Sequence, residues 1–440
     1  MSTSMSTPRP YVFDLLRLAG PVALARLGII GMGIADIVVV GQLAPRELPD
    51  QALGWAPTGV FLVTAIGLLT GVQVLAARVI GEGKPEAAGL VLRRGVMLAL
   101  IAGGLSAAAL WFAGARLYTF FGIAPALAVP AARVMQALAL SVPLHLIYIA
   151  ATYFVEAIKK PAISTIIMWL ANGVNLGLNL LWVPAHGAVG SAWATVASRV
   201  FLAGALLIWI WCSREAVTYG VRGRVTHSGP GYMALLGVGI AAAVSQLVEA
   251  GAFSAMTFIA GRLGAAAVAA YQIMLNIMAL VFMVALGLAA AMAVLVSEAI
   301  GRGAPRDAGR AGWTGIGLNA IAMIAFAGLG LMFAREIGHG YTADGALAAL
   351  IASLMWMAAI VLTPDGAQVV TAAALRARGD NWFPTFSHIL AYAVAMPLLG
   401  FWFAEKQAMG VSGLILAIII ASVISAGVLL ARWTVLARRV

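Results

Sequence analysis

From one end to the other, the chain alternates long apolar runs with short polar breaks. The runs reach about 20 residues, the length a helix needs to cross the hydrocarbon core of a bilayer, and they recur too evenly for the strands or core helices of a soluble domain. Twelve membrane helices are predicted, over 15–43, 52–76, 94–116, 127–155, 162–184, 188–212, 233–261, 268–297, 311–334, 345–375, 384–404 and 410–434. Several are longer than a bilayer requires, so tilt or kinks are expected. The first ten residues, MSTSMSTPRP, are polar and the run after them is too long for a cleaved signal, so that run is expected to persist as the first helix.

The polar breaks repeat. IGEGKPEAAG (80–89) matches IGRGAPRDAG (300–309) at an offset of 220, and ADIVVVGQL (35–43) lines up with AMTFIAGRL (255–263) at the same offset. The expected fold is therefore an all-α integral membrane protein made of two pseudo-symmetric six-helix bundles, 1–212 and 233–440, joined by a polar linker at 213–232. With an even number of crossings per half, the repeats run parallel, related by an axis along the membrane normal. Such halves suit alternating access around a shared centre.

Composition agrees with that picture. The chain is 63% hydrophobic and 10% charged, against about 25% charged in a soluble domain. Its net charge of +11 raises the question of nucleic acid, and the placement of the charges answers it. Nineteen Lys and Arg fall on one side of the predicted helices and six on the other. That bias marks the richer side as cytoplasmic and places both termini there, with no clustered basic face for a nucleic acid. The single cysteine, Cys212, excludes an internal disulfide and a cysteine-built metal site. No phosphate loop, GxSxG or HExxH occurs, and the five histidines are scattered, so no enzyme and no cofactor are expected, and any active transport would be driven by an ion gradient.

A few polar residues sit where apolar ones would cost nothing. A charge at bilayer depth is expensive, roughly 2.5–3.5 kcal/mol on insertion scales, yet Asp36, Glu249 and Asp365 fall deep in predicted helices, as do Arg26 and Arg199. The other acids are expected in loops or near helix ends. Asp36 shares its depth with Asn175, Asn179 and Thr195. Asn172, Asn175 and Asn179 recur at i, i+3 and i+7, one face of a helix. A carboxylate, amides and a hydroxyl form an oxygen-rich cluster suited to a proton or a small hard cation, with Asp36, Asn179 and Thr195 as ligands if the ion is Na⁺. Arg199, one turn from Thr195, is in reach of Asp36 or of a backbone carbonyl. Pro364 precedes Asp365 and frees a backbone carbonyl beside it. Under the repeat, Asp36 aligns with Met256 and Glu249 with Ile29, so the halves do not share these acids. Tyr271, Gln272, Asn276 and Met256 are candidate residues of a substrate cavity, where methionine and aromatic side chains suit flat organic cations.

With these residues in view, the chain resembles the multidrug and toxic compound extrusion (MATE) transporters, in their bacterial NorM-like branch. The resemblance is carried by LAGPVALARLGIIGMGIADIVVVGQL, NGVNLGLNLLWVPAHGAVGSAWAT, VAAYQIMLNIMALVFMVALGLAAAMAVLVSEAIGRG and DGAQVVTAAALRARGDNW, and spans about 12–435. It implies a V-shaped pair of bundles and export of organic cations and other drugs in exchange for H⁺ or Na⁺. Asp36 with Asn175, Asn179 and Thr195 resembles the family's N-terminal cation site, and Glu249 with Asp365 its C-terminal acids. Val361 stands four before Asp365, where some relatives carry an aromatic hydroxyl, and Tyr271 where a histidine is common. The expected protein is a monomeric, multi-pass exporter of the bacterial cytoplasmic membrane, its partners the lipid bilayer and small organic cations. Competing readings are a flippase of lipid-linked precursors, which would need several cavity arginines, a membrane enzyme acting on lipids, and a channel.

Overall fold

A computed structural model of the chain describes residues 9–222, 229–342 and 344–438. Arg224, Arg439, both termini and the middle of the linker (223–228) lie outside them, and of Arg9 only the backbone is described. Among the described residues all regular structure is helical, and eleven helices are long and apolar enough to cross a membrane. They are α1 Arg9–Leu43, α2 Pro45–Gly81, α3 Ala87–Phe120, α4 Pro125–Ala157, α5 Pro161–Cys212, α6 Tyr232–Leu263, α7 Ala265–Gly301, α8 Pro305–Met332, α9 Gly345–Arg378, α10 Trp382–Lys406 and α11 Val411–Arg438. Pro125, Pro161 and Pro305 each open a helix, where the missing N–H costs nothing. Phe112, Phe120 and Met233 are more than four-fifths exposed, as side chains bathed in lipid should be.

Eleven helices make twelve crossings because α5 is 52 residues long, about twice what one crossing needs. The predicted boundary between 184 and 188 is a break rather than a loop. Gly187 turns the chain at φ 55° and ψ −139°, a conformation open to glycine and strained for residues with a Cβ. The Glu47 carboxylate accepts the Ala188 N–H at 2.8 Å, so an acid covers the N-terminus of the second arm, where the helix dipole favours negative charge.

The repeat read from the sequence is repeated in geometry. Gly83 and Gly303 both turn with positive φ, 77° and 67°. Around them Lys84 N–H donates to Val79 O and Ala304 N–H to Ala299 O, each at 3.0 Å. Past α4 and α9 the same correspondence holds: Lys159 (φ 60°) and Gly379 (φ 104°) end their helices with matching backbone bonds to Glu156 O and Arg376 O, each at 3.0 Å.

Packing divides the chain into two compact units. An N-terminal unit comprises Leu24–Ala243, and a C-terminal unit comprises Val244–Val440 together with the chain up to Ala23. The cuts fall inside α1 and α6 rather than at the linker. In the C-terminal unit the start of α1 lies so close to α7 that a Cβ on Gly287 would meet Ala19 O at 2.7 Å. In the N-terminal unit α6 approaches α2 in the same way, at Gly67 against Ala243. The linker begins with a short helix, Glu215–Thr218, and is strapped to α3, where Gly89 N–H donates to Tyr219 O at 2.7 Å and Arg93 to Val221 O at 2.7 Å.

Candidate functional site

The N-terminal unit assembles the expected cluster around Asp36. α1 delivers the carboxylate, and the two arms of α5 deliver its donors, one from each side of the Gly187 break. Asn179 Nδ2 donates to Oδ1 at 2.8 Å and Thr195 Oγ1 to Oδ2 at 2.7 Å. All three residues are fully buried. The amide face continues along the helix, since Asn172 donates to Gly28 O at 3.0 Å, two turns from Asp36 on α1. Asn175, buried between them, also reaches toward Asp36, while its Oδ1 and the Asn179 Oδ1 are unpartnered. Buried polar atoms are nearly always satisfied, so free oxygens beside a buried carboxylate mark room for a cation or water.

Arg199 lies near Asp36 but is not hydrogen-bonded to it. Its Nη1 donates to Ser141 Oγ at 2.7 Å and its guanidinium stacks over Trp55 at 5.3 Å. Arg26 is also engaged, and by an acid expected to lie near a helix end. Glu156 is buried in the last turn of α4, with Arg26 Nη2 at 3.7 Å and Gln73 Nε2 donating at 2.5 Å. Arg26 further stacks over Tyr153 at 5.5 Å. Sequence position alone concealed Glu156, because a residue one step from a helix end is usually wet. The available signal was Arg26 itself, a buried charge in want of a counterpart.

In the C-terminal unit Glu249 of α6 and Asp365 of α9 line one cavity of about 210 Å³, otherwise walled by apolar groups including Phe253, Met278, Phe282 and Val361. α9 stays helical through Pro364. The aromatic hydroxyl that Val361 does not supply comes from another helix: Tyr392 Oη donates to Asp365 Oδ1 at 3.2 Å, and Ser422 Oγ of α11 reaches the same oxygen at 3.3 Å. Tyr392 sits in the stretch Ile389–Ala395, where α10 widens to π-helical turns, a local defect common at functional sites. Neither donor was singled out from the sequence. Serine and tyrosine are unremarkable in apolar helices, and only the packing brings residues 27 and 57 positions away onto one carboxylate.

Arg376, counted from the sequence with the cytoplasmic loops, instead turns inward from the last turn of α9 and donates to Ser245 Oγ at 2.7 Å. The four proposed cavity residues are dispersed. Met256 and Tyr271 are fully buried in an apolar cluster. Gln272 and Asn276 are exposed, Gln272 donating to Thr257 Oγ1 at 3.3 Å and Asn276 accepting from Tyr341 Oη at 2.8 Å. None of the four lines the Glu249–Asp365 cavity. No group of three or more His, Cys, Asp or Glu is placed to hold a metal among the described residues.

Comparison with known proteins adds relatives to this geometry. The MatE family model matches residues 21–181 and 241–402, one stretch in each half. A probable multidrug resistance protein NorM from Caulobacter vibrioides is 40% identical over 431 residues, covering 97% of this chain and 92% of its own. The multidrug resistance protein PmpM of Pseudomonas aeruginosa is 29% identical over 420 residues, covering 90% and 86%. Among solved structures, an outward-facing multidrug resistance MATE family transporter of the MOP superfamily has the same fold, with a TM-score of 0.88 at 21% identity over 97% of this chain and 96% of that one.

Proposed function

The chain belongs to the MatE family, and on that footing we propose that it is a secondary active multidrug exporter. It moves drugs and organic cations out of the cell by alternating access, in exchange for H⁺ or Na⁺. It is a transporter and not an enzyme. The ion is taken up at Asp36, with Asn175, Asn179 and Thr195, and at the Glu249–Asp365 pair. If the ion is Na⁺, Asp36, Asn179 and Thr195 ligate it. Gln272 and Asn276 are proposed as polar contacts for the drug. The cytoplasmic side is the one richer in Lys and Arg, which places both termini inside.

The observation that carries this reading is the Asp36 cluster. A fully buried carboxylate is held by two neutral donors, with unpartnered amide oxygens beside it and no basic residue bonded to it. Such a group exchanges an ion more readily than one locked to an arginine. Ion and drug each shift the balance of inward and outward states only by their differential affinity for the two. The flippase reading loses its main support, because Arg26 and Arg199, the deep arginines available for a pyrophosphate, are already occupied by Glu156 and by Ser141 with Trp55.

The test is drug flux in proteoliposomes under a pH gradient alone or a sodium gradient alone. One of them drives export, and Asp36→Asn removes the response. Wild-type flux in Asp36→Asn under both gradients would refute the assignment of that site.

A further inference from the structure

Below Asp365 the C-terminal unit contains a row of polar side chains that the exporter reading does not use. Along α9, Gln368 and Thr371 follow at i+3 and i+6, and Arg376 ends the row at i+11, about 16 Å from Asp365 at 1.5 Å per residue. α10 runs the other way, so His388 and Thr385 lie one and two turns nearer the arginine end than Tyr392. α6 and α11 add Ser245 and Ser425, each about one turn nearer that end than Glu249 and Ser422.

Both ends of this row are anchored by protein hydrogen bonds, although the Arg376 Nε is left over, and the middle is largely unpartnered. At the top, Asp365 holds Tyr392 and Ser422. At the bottom, Arg376 donates to Ser245, which donates to Thr385 Oγ1 at 3.1 Å. Between them Gln368 reaches toward Asp365, and the Thr371 hydroxyl and both ring nitrogens of His388 are buried without a hydrogen-bond partner. His388 packs edge-on against Tyr392 at 5.6 Å, and Ser387 and Ser425 meet at 3.5 Å alongside. Orphaned groups clustered in one place are where buried water resides, since each water typically makes about three such bonds. The repeated backbone does not require the row: 220 positions earlier stand Tyr148, Ala151 and Met168, and the Tyr148 hydroxyl is satisfied by Ser164 O at 3.1 Å.

We propose that a hydrated polar route runs inside the C-terminal unit from Asp365, past Gln368, Thr371 and His388, to the Arg376 end of α9, and carries the coupling proton between the carboxylate and the cytoplasm. The proposal rests on the exporter reading. Hydroxyl, amide and neutral imidazole each both donate and accept, as a proton relay through water demands. A sodium ion would need a cage of oxygens at every station, and the row offers none.

The experiment separates rate from equilibrium. In proteoliposomes, Gln368→Leu with Thr371→Val slows export driven by a pH gradient several-fold. In detergent, where protons reach Asp365 from either side, acid still displaces a bound fluorescent drug at the wild-type pH, and Thr371→Ser transports normally. Wild-type flux in the double variant, or loss of acid displacement together with flux, overturns the route. Should the double variant not fold, hydroxyl-radical labelling of the wild-type protein by X-ray radiolysis decides: the route places label on His388, and an unlabelled His388 refutes it. Asp365→Asn serves as the control. If that variant exports normally, the coupling role of Asp365 fails; if only the route variants do, the route alone fails.

Discussion

Residues 220 apart hold equivalent places in the two units, and the charged ones do not match. Asp36 corresponds to Met256, Asp365 to His145, Glu249 to Ile29, Glu156 to Arg376 and Lys160 to Asp380. The turns and helix ends around them agree closely, Gly83 with Gly303 and Lys159 with Gly379. The backbone was kept while the polar interior was rebuilt with other charges. In the N-terminal unit the deep charges are equal in number, Arg26 and Arg199 to Glu156 and Asp36, and of the four it is Arg26 and Glu156 that form an ion pair. In the C-terminal unit Glu249 and Asp365 share a cavity, and Arg376 turns inward from the end of α9 as a cation against these two acids. Two carboxylates there stand against that one arginine. A lone charge in a low-dielectric interior is costly, so under the proposed function the C-terminal unit is the one in which ion uptake would relieve the larger charge imbalance.

The sharpest way to break this comparison is Asp365→Asn. Export from cells producing the variant at the wild-type level should fall to the background of cells without the transporter. Wild-type export would shift coupling to Asp36 and leave the unequal charge balance without consequence. Next in size is the balanced charge pair of the other unit. Arg26→Met leaves Glu156 buried with only Gln73, and removing one partner of a buried pair costs about 3 kcal/mol. Apparent Tm in detergent should drop accordingly, and adding Glu156→Leu should restore much of it. If the double variant is no better than the single, the pair is not the unit's charge balance.

A smaller effect is expected from Tyr392→Phe, which removes one donor from Asp365 and leaves Ser422 in place. A hydrogen bond to a charged group is worth about 1.5–3 kcal/mol. Ion-driven drug release should therefore change midpoint by about tenfold in ion concentration, while a probe of Asp36 is unaffected. An unchanged midpoint would show that the Tyr392 hydroxyl does not act on the carboxylate.

How far the sequence reveals all this depends on the distance over which each interaction is formed. The crossings were legible, because a 20-residue apolar run has few alternatives in water, and so was the repeat, because its Gly-Pro turns need those residues. The break at Gly187 was half legible: apolar length demanded two crossings, but only the φ of 55° shows that a single glycine, rather than a loop, separates the two arms. Asp36, Asn179 and Thr195 could be matched by depth alone, since three helical arms each place one polar residue at the same level. Arg199 could not. Depth put it near Asp36, whereas the side chain's direction around the helix sends it to Ser141 and Trp55. Glu156, Tyr392 and Ser422 were hidden for the same reason. Hydropathy records how deep a residue lies and not which neighbour it faces.

The smallest test of the comparison lies outside the membrane, where the charge exchange between units continues. Lys160 pairs with Glu215 in the N-terminal unit, and in the C-terminal unit its counterpart Asp380 accepts from Arg432 at 2.7 Å. The signs are reversed while the place after the helix is the same. Both pairs are partly exposed, so each is worth under about 1 kcal/mol. The hydrogen bond from Lys160, with help from backbone, holds the Glu215 carboxyl below its ordinary value. A depressed carboxylate adds stability above its unfolded pKa and loses it as pH falls through the lowered one. Lys160→Ala should therefore lower the apparent Tm slightly at neutral pH, and the difference from wild type should vanish in acid as Glu215 protonates in both. In the other unit Arg432 also stacks over Phe383 at 5.0 Å, which survives Asp380→Ala. That variant should consequently cost less than the loss of Arg432 itself, and equal losses from the two would mean that the ion pair alone holds the arginine.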